Sequence, residues 1–316
     1  MEKLSFVIPC YCSQNTIRTV IKEILDEIGK QGGYDYEIIL VNDYSPDGVW
    51  KEIETLAIDD RHIRGISLSR NFGQHAALMA GYRFCTGDYI VSLDDDGQAP
   101  LEALFQLVEK LEEGYDVVYA YYEKEVNRSL YRRIGSWMAQ KMSEMMLDVP
   151  EGFKGSSFYI AKKFVIDEMI RYCNPYPYLA GLVMRVTKNI ACVPTVHRKR
   201  IEGNSGYSFR KLAALWMNGF TAFSVKPLRL AEFLGIVCSF LGFIGGIAAV
   251  IRKLLHPTIL LGYSSTIASV FFIGGVIMMI LGMIGEYVGR IYISINNAPQ
   301  YVIKEMTDDK TGRSNI

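Results

Sequence analysis

The sequence predicts an α/β fold on a mostly parallel sheet, followed by two transmembrane helices. Three observations carry that expectation. Short apolar runs alternate with amphipathic helical patterns through roughly the first 100 residues, the pattern of a parallel sheet. The fourth run, Tyr89-Ile90-Val91-Ser92-Leu93, leads straight into Asp94-Asp95-Asp96-Gly97-Gln98. That order fits a buried strand ending at its carboxyl edge, where open α/β sheets place their ligands. The hydrophobic residues, 50% of the 316, gather after residue 230, so a soluble part precedes a membrane part. A formal net charge of zero gives no support for nucleic-acid binding.

Each element follows in order. Leu4 to Ile8 read as a buried strand that Pro9 ends, and Tyr11 to Asn15 as a polar loop. Ile17, Val20, Ile21, Ile24, Leu25 and Ile28 recur at three- and four-residue steps, which predicts an amphipathic helix that Gly32-Gly33 break. Tyr36 to Val41 form a second strand, and Pro46-Asp47-Gly48 mark the turn before a helix over Val49 to Asp59. A strand near Ile63 to Ser69, a helix from Gln74 to Phe84 and the strand before the acidic triplet come next. Leu101 to Glu113 read as a helix, Asp116 to Ala120 as a strand, the chain from about Lys162 as a helix, and Val193 to Val196 as a strand.

Two carboxylates one residue apart can face one point if the chain bends after the strand. Such hard oxygen ligands suit Mg²⁺ or Mn²⁺ on a diphosphate. An isolated acidic triplet fits a solvated turn equally well. No GxGxxG follows the first strand, so an ordinary dinucleotide fold is not expected. The six cysteines form no CxxC and read as free thiols in a reducing compartment. The N-terminus runs directly into a strand without a signal-peptide core, which predicts a cytoplasmic first part.

Four blocks carry a family resemblance: Val7-Ile8-Pro9-x-Tyr11, Val41-Asn42-Asp43-Tyr44-Ser45-Pro46-Asp47-Gly48, Leu68-Ser69-Arg70-Asn71-Phe72-Gly73 and Asp94-Asp95-Asp96-Gly97-Gln98-x-Pro100. In this order they resemble family 2 glycosyltransferases of GT-A, Rossmann-like fold. More narrowly they resemble polyprenyl-phosphate glycosyltransferases, the dolichol-phosphate mannose synthases and bacterial undecaprenyl-phosphate enzymes. The resemblance implies inverting transfer of a sugar from a nucleotide sugar, UDP-linked, to undecaprenyl or another polyprenyl phosphate. It implies Mg²⁺ or Mn²⁺ held by Asp94, Asp96 and Gln98, and a nucleotide bound by Pro9, Tyr11, Asp43, Asp94 and Asp95, of which Pro9, Tyr11 and Asp43 frame the nucleoside. It places the acceptor phosphate on Arg132 and Ser136, four apart and so on one helix face, and on Arg198, Arg200 and Ser205. Asp96, Arg132, Ser136 and Arg200 are the expected catalytic set.

The chain also departs from the pattern. Cys12-Ser13 stand where relatives have Asn-Glu, Tyr121-Tyr122 where they carry an Arg, and Gly206 where the Arg200-x-x-Gly203-x-Ser205-x-Tyr207 loop has Lys. Ser157 stands where bacterial relatives often have Asp, so no carboxylate base is evident there. Without the resemblance, Arg128, Arg132 and Arg133 fit a solvated helix face.

Ser208 to Val225 read as an interfacial amphipathic helix or a core helix. Phe233 to Ile251 and Ile259 to Gly285 lack charge and are long enough to span a bilayer. Arg252 and Lys253 lie on the expected outside, against the positive-inside tendency. The expected organisation is a cytoplasmic catalytic domain over 1–207, an interfacial helix over 208–230, a transmembrane hairpin over 231–285, and an interfacial helix and polar tail over 286–316. Both termini would be cytoplasmic in a multi-pass inner-membrane protein, assembled as a homo-oligomer such as a tetramer. Two other classes fit: a membrane-anchored nucleotide-sugar-binding or scaffold protein without turnover, and a transferase with a non-lipid acceptor.

Overall fold

The structure of the protein is a computed structural model that describes residues 1–122, 153–196, 226–255, 263–296 and 298–307. Strands and helices alternate as β1 (Lys3–Cys10), α1 (Ile17–Gln31), β2 (Asp35–Asn42), α2 (Val49–Asp59), β3 (Ile63–Leu68), α3 (Gln74–Tyr82) and β4 (Tyr89–Ser92). A 3₁₀ turn (Leu101–Ala103) leads into α4 (Leu104–Glu112) and β5 (Val117–Tyr122). Then come β6 (Tyr159–Lys162), α5 (Lys163–Met169), α6 (Leu179–Val186) and β7 (Ile190–Thr195). Two long helices, α7 (Lys226–Leu255) and α8 (Tyr263–Ile295), precede a last strand, β8 (Ile303–Met306).

The eight strands form one sheet in the order β7-β5-β6-β4-β1-β2-β3-β8. β1 pairs in parallel with β2 and β4, β2 with β3, and β5 with β7. β6 runs antiparallel between β4 and β5, and β8 antiparallel to β3. Every β1 residue from Leu4 to Cys10 is buried, as expected of a strand covered on both faces. The helical spacing read from the sequence is the inner face of α1: Ile17, Val20, Ile21, Ile24 and Ile28 are buried and Leu25 is half-buried against the core.

Pro9 does not end β1, contrary to expectation; the strand continues to Cys10, with Pro9 opposite Val41. The carbonyl of Val7 faces β4, accepting from Leu93 N–H, and that of Cys10 faces β2, accepting from Asp43 N–H. Strand alternation then turns Pro9 toward β4, beyond the last β1–β4 pair, Val7 with Ser92. A residue lacking an N–H loses no ladder bond there.

Glu37 on β2 is a structural hub. Its Oε1 accepts from Ser5 Oγ at 2.5 Å and Thr86 N at 2.6 Å, and its Oε2 from Thr86 Oγ1 at 2.9 Å. Lys3 Nζ lies 2.9 Å from Oε2. Burial alone would raise the Glu37 carboxyl, but these donors outweigh it and hold it below the usual range.

The C-terminal segment was expected to be an interfacial helix and tail. Instead α8 continues unbroken through 286–295, and the chain then returns to the sheet. Ser69 N donates to Val302 O at 2.9 Å, and Gly65 N to Thr307 Oγ1 at 2.9 Å. Gln300 Nε2 donates to the carbonyls of Tyr172 and Asn174, at 3.2 and 2.9 Å. The segment covers the edge of β3, which would otherwise present unpaired backbone groups.

The chain divides into two compact units, 1–212 with 297–316, and 213–296. Within the second unit, α7 and α8 expose large apolar side chains, among them Phe240, Phe243, Phe272 and Tyr292. Among the described residues, Phe272–Ile295 is long and apolar enough to cross a membrane, whereas the apolar part of α7, Ala231–Ile244, is shorter. Among the described residues one candidate span therefore stands where two were expected; it overlaps the later part of 259–285 and runs on to Ile295. The interfacial helix expected over 208–225 lies outside the described residues.

Candidate active site

β4, β1, β2 and β3 lie side by side and parallel, so the loops after them emerge at one sheet edge. Side chains lace those loops together. Tyr11 N donates to Asp95 Oδ2 at 2.9 Å, and Thr16 Oγ1 to Asp95 O at 2.7 Å, tying the β1 loop to the acidic turn. Cys12 N donates to Ser45 Oγ at 2.8 Å, and Gln14 N to Asp47 Oδ2 at 2.9 Å, tying the β1 loop to the β2 loop. Asn42 Nδ2 reaches Ser67 Oγ at 3.0 Å across β2 and β3, and its Oδ1 accepts from Ser45 N at 2.9 Å.

Asp43 is buried, and both its oxygens accept backbone N–H groups. Phe72 N donates to Oδ1 at 2.7 Å and Gly73 N to Oδ2 at 2.8 Å. The carboxylate thereby fixes the turn into α3. Burial raises its carboxyl above the usual range, while the two N–H donors pull it down. Asn71 Nδ2 also donates to Asp43 O, at 3.2 Å.

The three acids of the central turn have separate surroundings. Asp94 Oδ1 accepts from Gln74 Nε2 at 2.5 Å, and Oδ2 from Ser157 Oγ at 2.6 Å. Asp95 faces the β1 loop, and burial pushes its carboxyl up to about 6. Asp96 Oδ1 accepts from Gln98 N at 3.0 Å, closing a turn through Gly97 at φ 72°. That left-handed conformation favours glycine. Cys12 and Tyr44 also sit in the left-handed region, at φ 57° and 54°. Strain in non-glycine residues concentrates at functional sites; these two lie on neighbouring loops here, and a third such residue, Tyr176 at φ 60°, lies between α5 and α6. The rings of Tyr11 and Tyr44 are exposed.

The structure thus brings Pro9, Tyr11, Asp43, Asp94, Asp95, Asp96 and Gln98 to one edge. Asp43 and Asp95 brace neighbouring loops, and Gln98 takes part through its backbone N–H. Arg128, Arg132, Ser136, Arg198, Arg200 and Ser205 lie outside the described residues. Reading the sequence did not single out Gln74, and nothing in its spacing marks it. Ser157 was singled out only for a missing carboxylate.

Among the described residues, no three His, Cys, Asp or Glu side chains gather as a cation cage. Asp94 and Asp96 are the carboxylates that could hold a cation. Mg²⁺ commonly takes one or two carboxylates and completes its shell with substrate phosphate and water. The donor set fits a cation shared with a diphosphate, and not an all-protein site.

Comparison with known proteins agrees with this edge. The profile described as Glycosyl transferase family 2 matches residues 5–170, and that of the GtrB C-terminal hairpin matches 226–291. The chain is 32% identical over 320 residues to the undecaprenyl-phosphate 4-deoxy-4-formamido-L-arabinose transferase of Proteus mirabilis, covering 100% of this chain and 97% of that one. It is 31% identical over 311 residues to the prophage bactoprenol glucosyl transferase homolog of Escherichia coli, covering 96% and 99%. Glucosyl-3-phosphoglycerate synthase of Mycobacterium tuberculosis, solved with Mn²⁺, UDP-glucose and phosphoglyceric acid, shares the fold at TM-score 0.52 and 18% identity, covering 70% and 78%. With more than half its length matched and relatives aligned end to end, the chain belongs to glycosyl transferase family 2, among its polyprenyl-phosphate glycosyltransferases.

Proposed function

We propose that the protein moves a sugar from a UDP-sugar to undecaprenyl phosphate or a related polyprenyl phosphate, inverting the anomeric centre. The observation that carries this reading is the acid turn at the parallel sheet edge, braced by Tyr11, Gln74 and Ser157. Full-length likeness to an undecaprenyl-phosphate sugar transferase supports the acceptor. The fold relative crystallised with Mn²⁺ and UDP-glucose supports the donor class.

In this reading Pro9, Tyr11, Asp43 and Asp95 frame the nucleoside and Asp94 lies against the diphosphate. Asp94 and Asp96, with Gln98 beside them, would hold Mg²⁺ or Mn²⁺, which supplies charge compensation for the departing diphosphate. The acceptor phosphate has a second pKa of about 6, so it arrives largely as a dianion. Its oxygen attacks the anomeric carbon as the bond to the donor diphosphate breaks, and no proton need leave the nucleophile. A serine at position 157 is compatible with that economy of base catalysis. Arg132, Ser136, Arg198, Arg200 and Ser205 would grip the lipid phosphate, because guanidinium forks match its oxygens. The protein's contribution is placement and charge neutralisation.

The exposed apolar helices α7 and α8 would seat the chain in the cytoplasmic membrane as a two-span hairpin, with both termini and the active site on the cytoplasmic side. A homo-oligomer, such as a tetramer, fits this arrangement. Asp96→Ala in the purified full-length protein tests the site. Transfer should fall by about a hundred-fold or more, the loss of several kcal/mol of charge stabilisation. Full retained activity contradicts the assignment.

A further inference from the structure

We infer that Gln74 and Ser157 are positioning residues that set the orientation of the Asp94 carboxylate for the cation-bound diphosphate. This rests on the assignment of Asp94 and Asp96 to that diphosphate.

The two donors reach Asp94 from separate parts of the chain. Gln74 is the first residue of α3, and Ser157 lies just before β6. Each binds a different oxygen, at 2.5 Å and 2.6 Å. One bond would leave the carboxylate free to swing about its Cβ–Cγ axis; bonds to both oxygens fix its plane. A carboxylate oxygen has two lone-pair sites, so one accepted hydrogen bond orients it without ending its use as a ligand.

Both donors are neutral. A Lys or Arg in either place would also orient Asp94, but it would cancel the negative charge that draws a cation. An amide and a hydroxyl hold the geometry and leave the charge.

Each donor is itself held from behind. The backbone before Gln74 is fixed by Asp43, through Phe72 N and Gly73 N. On its other side, His75 Nδ1 donates to Pro177 O at 3.1 Å. Beside Ser157, Phe158 is fully buried, its N–H donates to Ser156 Oγ at 3.0 Å, and its carbonyl accepts from Ala120 N at 3.0 Å. The Ser157 bond lies at the exposed rim, where water competes for both partners. A bond in that position adds little to folding, so its main consequence falls on ligand geometry.

Removing a hydrogen bond that orients a metal ligand typically weakens metal affinity by 10–100-fold. The test is Mn²⁺-dependent binding of UDP to the full-length protein in detergent, by calorimetry, with thermal unfolding followed alongside. Q74A and S157A should each weaken binding by about ten-fold or more, and S157T, which keeps the hydroxyl, should bind as wild type does.

Wild-type affinity in Q74A and S157A together overturns the inference. An effect in one alanine variant alone removes the role of the other residue. D94N in the same titration separates the two levels. If D94N binds as wild type, the Asp94 assignment itself fails; if D94N loses binding while Q74A and S157A keep it, only the positioning role fails.

Discussion

Asp43→Asn probes the link between fold and site most sharply. Asp43 accepts two backbone N–H groups on separate oxygens, at 2.7 and 2.8 Å, and is 3% exposed. An asparagine keeps one acceptor and turns an amide NH₂ toward the other N–H. The change removes one hydrogen bond to a charged group, worth about 1.5–3 kcal/mol, and leaves a buried donor facing a donor. Relief from burying a charge offsets part of this, since burial already raises the Asp43 carboxyl. The net loss should be about 2 kcal/mol. At roughly 2–4 °C per kcal/mol for a domain of this size, the unfolding temperature should drop by about 4–8 °C. The same turn starts α3 at Gln74, so Mn²⁺-dependent UDP affinity should fall as well. Thermal unfolding and calorimetry on the full-length protein read both effects. An unchanged unfolding temperature would refute the bracing role; a lower one with unchanged affinity would detach the turn from the site.

Three further outcomes follow from other parts of the molecule. Glu37 is held below its usual range, so its contribution to stability is present above the ordinary value of 4.5 and fades as pH falls through the lower folded value. Glu37→Gln should therefore be less stable than wild type at pH 7, with the gap closing as pH falls below the ordinary 4.5 and through the lower folded value; a pH-independent gap in denaturant midpoints contradicts this. Deleting 298–316 uncovers the β3 edge and removes the partners of Gly65 N and Ser69 N. Light scattering and thermal scans should show a less stable, association-prone protein, and an unchanged profile counts against the edge-covering role. Arg200→Ala should raise the KM for polyprenyl phosphate more than that for the nucleotide sugar, and equal shifts would count against an acceptor role.

Much of the catalytic unit was legible because its signals are local. The spacing of Ile17, Val20, Ile21, Ile24 and Ile28 gave one helix, and the helix over Val49–Asp59 matched residue for residue. β6 and α6 were missed because Tyr159–Lys162 is too short for periodicity to register and Leu179–Val186 carries no capping signal that stands out. β8 was missed for a different reason. A four-residue edge strand is defined by its partner, and its partner lies more than 200 positions earlier.

The site divides the same way. Asp94 and Asp96 announce themselves by type and by their place after an apolar run. Asp43 and Asp95 were read as nucleotide contacts, yet their carboxylates also tie one loop to the next, which depends on which strands are neighbours. Gln74, and any part for Ser157 beyond a missing carboxylate, became visible only when the fold set both against Asp94.

The most direct measurement gives the purified full-length protein undecaprenyl phosphate and a panel of labelled UDP-sugars, with Mg²⁺ or Mn²⁺ or with chelator, and counts label in the organic-extractable, acid-labile fraction. The account predicts product with one or more sugars, dependent on both the lipid and the cation. Label that reaches this fraction equally well under chelation, or none from any sugar with cation and lipid both present, would contradict it.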